Sequence, residues 1–465
     1  MHNEAYDMIS HTLRRRFLGG ATLAVAAALA LGACNLDKTL RIPDPDVTRP
    51  EDLTGPQALP TLLAGAIGDF QVAFSGTGGN TGLEGLSNMT GLFTDEFFFT
   101  ESFPTRVQVD RRAIDRNNTT MLFIYFTVAR ARASARRAAA SYATLAPTDS
   151  GYSESLSLEG YSFLFLAEAY CSGVPVSVFN DAGQLVNGGG DPLTTQQLLD
   201  SAIARFSLAR SVAATAGKTD LQFLARVGQA RALIFKGTGN LAAASAIITA
   251  APAIPTSFAY RVFSSENTDR QNNGLWEFNW NEKRWTQANA EGGVGLPFRN
   301  GDPRTPFHRR GLGFDQSTPL YVSDKYPDRN ASTILASGTE ARLIEAEAAL
   351  FAGNSGVFLQ TLNDLRATVT GLTPLADPGT TATRQALLFR ERAFWLYLTN
   401  HRLADMRRMV RSTANGGYGF AINTVFPTGT YLGQGGGVYG NDVNFPIPIE
   451  EDNNPNFHGC IDRNP

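Results

Sequence analysis

The sequence predicts a mainly α protein, a body of paired helices carrying a separate, loop-rich face suited to a ligand. Three observations support that reading. Apolar residues recur at helical spacing over residues 59–74, 119–145, 155–171, 194–215, 219–236, 240–250, 338–352, 356–369 and 382–411. Neighbouring helices are separated by very short glycine-containing breaks, as at Lys236-Gly237, where a cation and a permissive cap end a helix. Between the helical blocks, residues 255–335 are rich in Pro, Gly, Asn and Asp and hold one strand-like run, "LWEFNW", in which Trp276, Phe278 and Trp280 alternate onto one face. A segment of that length without long helices is where binding loops commonly reside.

The chain begins with a targeting segment. Arg14, Arg15 and Arg16 precede an apolar run, Phe17 to Leu31, that is too short to span a bilayer comfortably. Leu31-Gly32-Ala33-Cys34 is similar to a bacterial lipobox, so residues 1–33 are expected to be a lipoprotein signal peptide and Cys34 the lipidated mature N-terminus. The arginines followed by Phe17 and Leu18 also fit the twin-arginine pattern. Residues 34–58, broken by Pro43, Pro45, Pro50 and Pro56, read as a flexible tether. The body then divides into 59–254, with helical repeats, and 255–465, with the loop-rich segment and closing helices.

Charge narrows the function. With 40 Lys+Arg against 43 Asp+Glu, the net charge of -3 leaves no basic surplus for nucleic acid. The arginine-rich stretch "RERAFWLYLTNHRLADMRRM", read as one helix, places Glu391, Phe394, Trp395, Leu398, Arg402 and Asp405 on a common face. Arg402 and Asp405 are then spaced to pair, and Glu391 needs a partner from elsewhere. Its charges therefore read as scaffold. After export, Cys171 and Cys460 would lie in an oxidising compartment, where a pair is more often bonded than free, so a disulfide is the candidate pairing.

The stretches "ARVGQARALIFKGTGNLAAASAIITAAP" and "TEARLIEAEAALFAGNSGVFLQTLNDLRATV" each read as helix, tight turn, helix, and resemble tetratricopeptide units without the strict W-L-G-Y pattern. Four ordered stretches resemble the SusD/RagB family of outer-membrane nutrient-binding lipoproteins: "GYSFLFLAEAYCSGVPV", "EARLIEAEAALFAGN" with "LNDLRA", "RERAFWLYLTNHRLADMRR" and "FPIPIEEDNNPN". "DPR" at 302–304 and "DKY" at 324–326 lie between them, and Trp395 stands where the family usually has Glu. The resemblance implies a tetratricopeptide-like helical repeat body with a loop-rich ligand-binding face. It also implies a surface-exposed, lipid-anchored outer-membrane protein that binds an oligosaccharide, or else a peptide, and delivers it to a SusC-like TonB-dependent transporter. Neither a cofactor nor a metal is implied.

Glycan capture favours exposed aromatic rings beside polar groups. Two runs qualify: "FTDEFFFTESF", with Asp95, Phe97, Phe99 and Phe103, and "WEFNWNEKRW", with Trp280, Asn281 and Trp285. Trp285, beside charged residues and a polar loop, is the expected exposed ring, whereas Trp395 is expected to be scaffold. A surface glycan hydrolase is the rival, using Asp95 with Glu96 or Glu345 with Glu347, although neither spacing directs two carboxylates the same way. A pure helical-repeat interaction scaffold is the third class. The loop "FNDAGQLVNGGGDP" offers Asp181 to calcium but lacks the spaced acidic ligands.

Because the thioether lipid would be the sole anchor, Cys34→Ala should leave an unlipidated precursor that no longer fractionates with the outer membrane. Mass spectrometry of the mature N-terminus checks this, and an unmodified N-terminus at another residue would overturn the lipid-anchor assignment.

Overall fold

Helix ends follow local chemistry. The structure, a computed structural model, describes residues 55–79, 82–178, 186, 190–461, 463 and 465; Cys34, the signal peptide, the tether up to Thr54 and Asp181 lie outside them. The expected tether is shorter than its assigned span, because Pro56–Ala58 already form a 3-10 turn with Pro56 at its start, where a missing N–H is harmless. Helix α1 (Leu59–Ser75), α2 (Leu86–Phe93), β1 (Phe97–Phe99) and α3 (Pro104–Asp110) lead into α4 (Thr119–Leu145) and α5 (Ser150–Ala169). The Asn118 side chain caps α4 by accepting from Met121 N at 3.0 Å, and Asp149 caps α5 by accepting from Gly151 N at 2.7 Å. This cap moves the start of α5 ahead of the expected residue 155.

An antiparallel pair, β2 (Val174–Val176) and β3 (Asp191–Leu193), precedes α6 (Thr195–Thr215), α7 (Thr219–Lys236) and α8 (Leu241–Thr249). The loop-rich segment holds β4 (Ala259–Val262), the single turn α9 (Gly274–Trp276), β5 (Trp285–Gln287), β6 (Phe307–Leu312), β7 (Pro319–Ser323) and β8 (Thr333–Ser337). Then follow α10 (Gly338–Phe351), α11 (Ser355–Ala367), α12 (Thr381–Trp395) and α13 (Arg402–Val410). Strands pair as four two-stranded units, β1 with β5, β2 with β3, β4 with β8 and β6 with β7.

Each helix of the body packs on a near neighbour in sequence: α1 on α4, α4 on α5, α5 on α6, α6 on α7, α7 on α8 and α10 on α11, with α8 against α10. Small residues set the spacing. Phe206 of α6 lies between Gly160 of α5 and Gly228 of α7, where an added Cβ would sit 2.9 Å and 2.5 Å from its ring. Residues Gly55–Pro465 form one compact unit, and its main hydrophobic cluster draws on α1, α4, α5 and α7 as well as Trp285, Phe394 and Phe445.

Two expected elements differ. "LWEFNW" is no strand: Asn273 caps α9 by accepting from Trp276 N at 3.0 Å, and Glu277–Asn281 continue it as a π-turn, so the alternation of Trp276, Phe278 and Trp280 is lost. The expected helix 382–411 breaks after Trp395, where Leu398 (φ 53°) and Asn400 (φ 61°) take left-handed backbone. α13 is thereby reoriented, and Arg402 does not pair with Asp405. Asp405 instead accepts from Arg392 at 2.7 Å and Arg408 at 3.0 Å.

The charges of this region form a buried network. Arg392 and Arg408 also meet Glu347, Arg231 meets Glu168 at 2.7 Å, and His401 lies 3.1 Å from Glu340. Glu391 finds its partner in the DPR run: Arg304 approaches at 2.6 Å while pairing with Asp302, and Arg366 of α11 adds a contact at 2.9 Å. The C-terminal stretch returns to α5. Cys171 N donates to Phe445 O at 3.0 Å, and Cys171 is disulfide-bonded to Cys460, Cα atoms 5.9 Å apart and 289 residues apart in sequence.

Closing so long a loop restrains the unfolded chain, worth on the order of 5 kcal/mol in the chain-entropy treatment. Cys171→Ser should therefore lower the denaturant midpoint and, because the released unfolded chain exposes more surface, steepen the dependence of unfolding free energy on denaturant. An unchanged midpoint would show that the bond adds nothing to stability.

Candidate functional site

The loop-rich segment is organised by the β6–β7 hairpin. Its turn closes on Asp315, whose carboxylate accepts from Ser317 N and Thr318 N, each at 2.9 Å, and from the Thr318 hydroxyl at 2.6 Å. The tip docks on two other loops: Phe314 N donates to Lys283 O and Asp315 N to Thr100 O, both at 2.8 Å. Gly313 is needed there, since a Cβ would lie 2.5 Å from that of Thr100. These bonds leave the Phe314 ring at the surface, 51% exposed, with the Arg284 guanidinium 4.8 Å from its centroid.

A second exposed ring is linked to it through charged side chains. Phe103, 52% exposed, precedes α3, and Arg106 from the first turn of that helix lies 5.0 Å from its centroid. Glu101 joins the two halves: buried itself, it accepts from Arg106 at 2.8 Å and also from Arg284. Arg106 further pairs with Glu84, and Arg284 with Glu282. Two surface phenylalanines are thus each braced by a guanidinium, and both guanidiniums share one buried carboxylate.

Other expected residues lie elsewhere. Trp285 is fully buried, which overturns its expected exposure. Pairing of Phe99 with Trp285 in the β1–β5 ladder carries the indole into the interior, where it stacks on Phe278 with centroids 4.7 Å apart and an interplanar angle of 25°. Phe97 and Phe99 are buried on the partner strand, so neither ring reaches a ligand. Trp280 is half-buried and donates Nε1–H to Ser323 O at 2.9 Å, with His308 and Arg310 against its ring at 5.0 and 5.1 Å. Asn281 is exposed, its amide bound to Glu277 at 2.7 Å. Only Phe103 among the expected rings is largely exposed.

Of the carboxylates expected for hydrolysis, Glu96, Glu345 and Glu347 are held by hydrogen bonds or ion pairs, and Asp95 is buried. Asp95, at φ 54°, is buried, and burial followed by the nearby Asp110 and Glu291 pushes its carboxyl well above the usual range. Glu96 accepts from Leu398 N at 2.9 Å, and burial raises it to about 7. Asp110 accepts from Phe99 N at 3.2 Å and the Tyr431 hydroxyl at 2.6 Å, and burial raises it to about 8. Glu345 pairs with Arg342 at 2.8 Å, and Glu347 belongs to the buried network. Among the described residues no group of three or more His, Cys, Asp or Glu could hold a metal ion.

Sequence reasoning missed Phe314, Arg106 and Arg310. A single aromatic inside the polar run "GFDQST" was a usable signal, because an Asx turn leaves little interior for such a ring.

In overall structure the chain matches solved proteins along most of its length. A SusD-superfamily protein of Parabacteroides distasonis superposes with a TM-score of 0.63 at 14% identity, covering 86% of this chain and 98% of that one. The chain has the SusD-superfamily fold. A SusD-like carbohydrate-binding protein of Bacteroides fragilis gives 0.63 at 14% identity, covering 86% and 99% of the two chains. Surface glycan-binding protein A of Bacteroides uniformis gives 0.56 at 13%, covering 87% and 99%. No protein-family profile and no curated protein matches the chain by sequence.

The raised carboxyl of Asp110 fixes a pH dependence. Its folded value, about 8, exceeds the unfolded 3.8, so the unfolded chain gives up this proton first. The stabilisation from holding it is complete below about pH 4 and is lost as pH rises to about 8. Asp110→Asn cannot ionise, so its stability relative to the parent should rise across that window, by about 6 kcal/mol at most. Urea unfolding at stepped pH reads this; a difference that is flat with pH would place Asp110 as an ordinary carboxylate.

Proposed function

We propose that this protein binds an oligosaccharide at the Phe103–Phe314 face and delivers it to a SusC-like TonB-dependent transporter in the outer membrane, where the lipid on Cys34 holds it. The observation that carries the reading is the pair of half-exposed rings braced by Arg106, Glu101 and Arg284. A pyranose presents flat C–H faces that pack on aromatic rings, and rings already held by guanidiniums lose little freedom on binding. The SusD fold supports the assignment, since two of the solved proteins that share it are named as carbohydrate- or glycan-binding. A proline-rich tether fits the same role, keeping the binder at high local concentration beside a membrane partner.

The test separates binding from folding. Phe103→Ala and Phe314→Ala should each weaken glycan binding by roughly tenfold or more, corresponding to about 1 to 3 kcal/mol for a lost aromatic anchor, with the melting temperature nearly unchanged. Trp285→Ala should do the reverse, because emptying a fully buried indole site costs about 3 to 5 kcal/mol. Calorimetric titration against a glycan panel, with a thermal melt of each variant, gives both readouts. Normal glycan binding by both phenylalanine variants would move the site away from this face, and a peptide ligand in place of a glycan would overturn the substrate class.

A further inference from the structure

Strand β6 carries His308, Arg309 and Arg310 in succession, all exposed, beside the face just described. Its surroundings hold few free acceptors. Asp324 faces His308 at 2.8 Å, Asp315 is consumed by its own turn, and Glu282 and Glu101 are taken by Arg284. Among the described residues Lys283, Arg309 and Arg310 have no ion pair. The contrast with the interior is sharp: Arg231, Arg304, Arg392 and Arg408 each meet at least one carboxylate.

Arg310 is also held in place. It donates through Nη1 to Trp280 O at 2.9 Å, its guanidinium lies 5.1 Å from the Trp280 centroid, and Trp280 is itself anchored to Ser323 O at 2.9 Å. A guanidinium has five N–H donors, and a single one is used here, so a planar fork remains to meet a group with two acceptor oxygens. Trp280, expected to stack on a ligand, instead acts as the prop for this arginine.

A neutral sugar needs acceptors as well as donors for its hydroxyls, whereas the charged side chains here that lack an ion pair, Lys283, Arg309 and Arg310, are all cationic donors. Resting on the glycan-binding reading above, we infer that the ligand is an anionic oligosaccharide whose carboxylate or sulfate sits on Arg310, with Lys283 in the adjoining loop, while its sugar rings lie on Phe314 and Phe103. Arg310 is then the residue that sets specificity, and the phenylalanines supply affinity common to many sugars.

The experiment uses the purified full-length chain in detergent on an array holding neutral, uronate-bearing and sulfate-bearing oligosaccharides, followed by titration of the binders. Binding should be confined to anionic members, weaken steeply with added salt, and fall by roughly tenfold or more in Arg310→Gln. Arg310→Lys should recover part of the loss, since charge returns without the fork. Methyl-esterified uronates and desulfated glycans identify which anion is read. Binding of neutral glycans as tight as their charged counterparts, with Arg310→Gln silent and Phe314→Ala damaging, would overturn this inference and leave the glycan-binding reading intact. Absence of binding to every glycan would overturn both.

Discussion

The buried charge network is the constraint on which the remaining structure depends. Glu168 of α5, Arg231 of α7, Glu347 of α10, Arg392 of α12, and Asp405 and Arg408 of α13 are all nearly inaccessible to solvent. Leaving any of these charges unpaired in the interior would cost several kcal/mol, so the five helices must come together in one arrangement to satisfy them. Such a network adds less to net stability than its number of contacts suggests, since desolvation opposes the attraction. Its effect is to make alternative packings of the same apolar faces unfavourable.

The break between α12 and α13 links that network to the ligand face. Leu398 N donates to Glu96 at 2.9 Å and the Tyr397 hydroxyl to Glu96 O at 3.0 Å, which holds the segment before β1. From the other side, Lys325 donates to Tyr397 O and the Tyr326 hydroxyl to Leu398 O at 3.0 Å, so the DKY run is tied to the same short stretch. Arg304 adds a tie through Glu391. Loops that would otherwise have many conformations are anchored to the helical body at several points, which is how Phe103 and Phe314 stay fixed while exposed.

Arginine thus does two jobs in one chain. Inside, guanidiniums such as Arg231 and Arg392 are met by carboxylates and others by carbonyls, as where Arg226 donates to Ile247 O at 2.9 Å and to Ile248 O at 2.7 Å. Under the surface rings, buried Arg106 and half-buried Arg284 hold Phe103 and Phe314, and exposed Arg310 is held by Trp280. The first use orders the fold, and the second leaves rings and donors facing outward.

Local information determined the helices. Capping residues, glycine breaks and apolar spacing act within a few residues, so α4, α6, α7, α10 and α11 were legible nearly to their ends, as was the candidate pairing of Cys171 with Cys460. The scaffold role of the arginine-rich stretch was legible too, from charge balance and helical spacing, although the pair expected between Arg402 and Asp405 gives way to Arg392 and Arg408 on Asp405. Exposure was not. Whether Trp285 or Phe103 faces water depends on strands distant in sequence: β5 pairs with β1, 186 residues away at Phe99 and Trp285, and that ladder turns the indole inward. The tip of β6–β7 rests on Lys283 and Thr100 and so presents Phe314. Helix caps are short-range hydrogen bonds that a sequence window contains, but burial is a property of the assembled surface, and only the tertiary structure decided it.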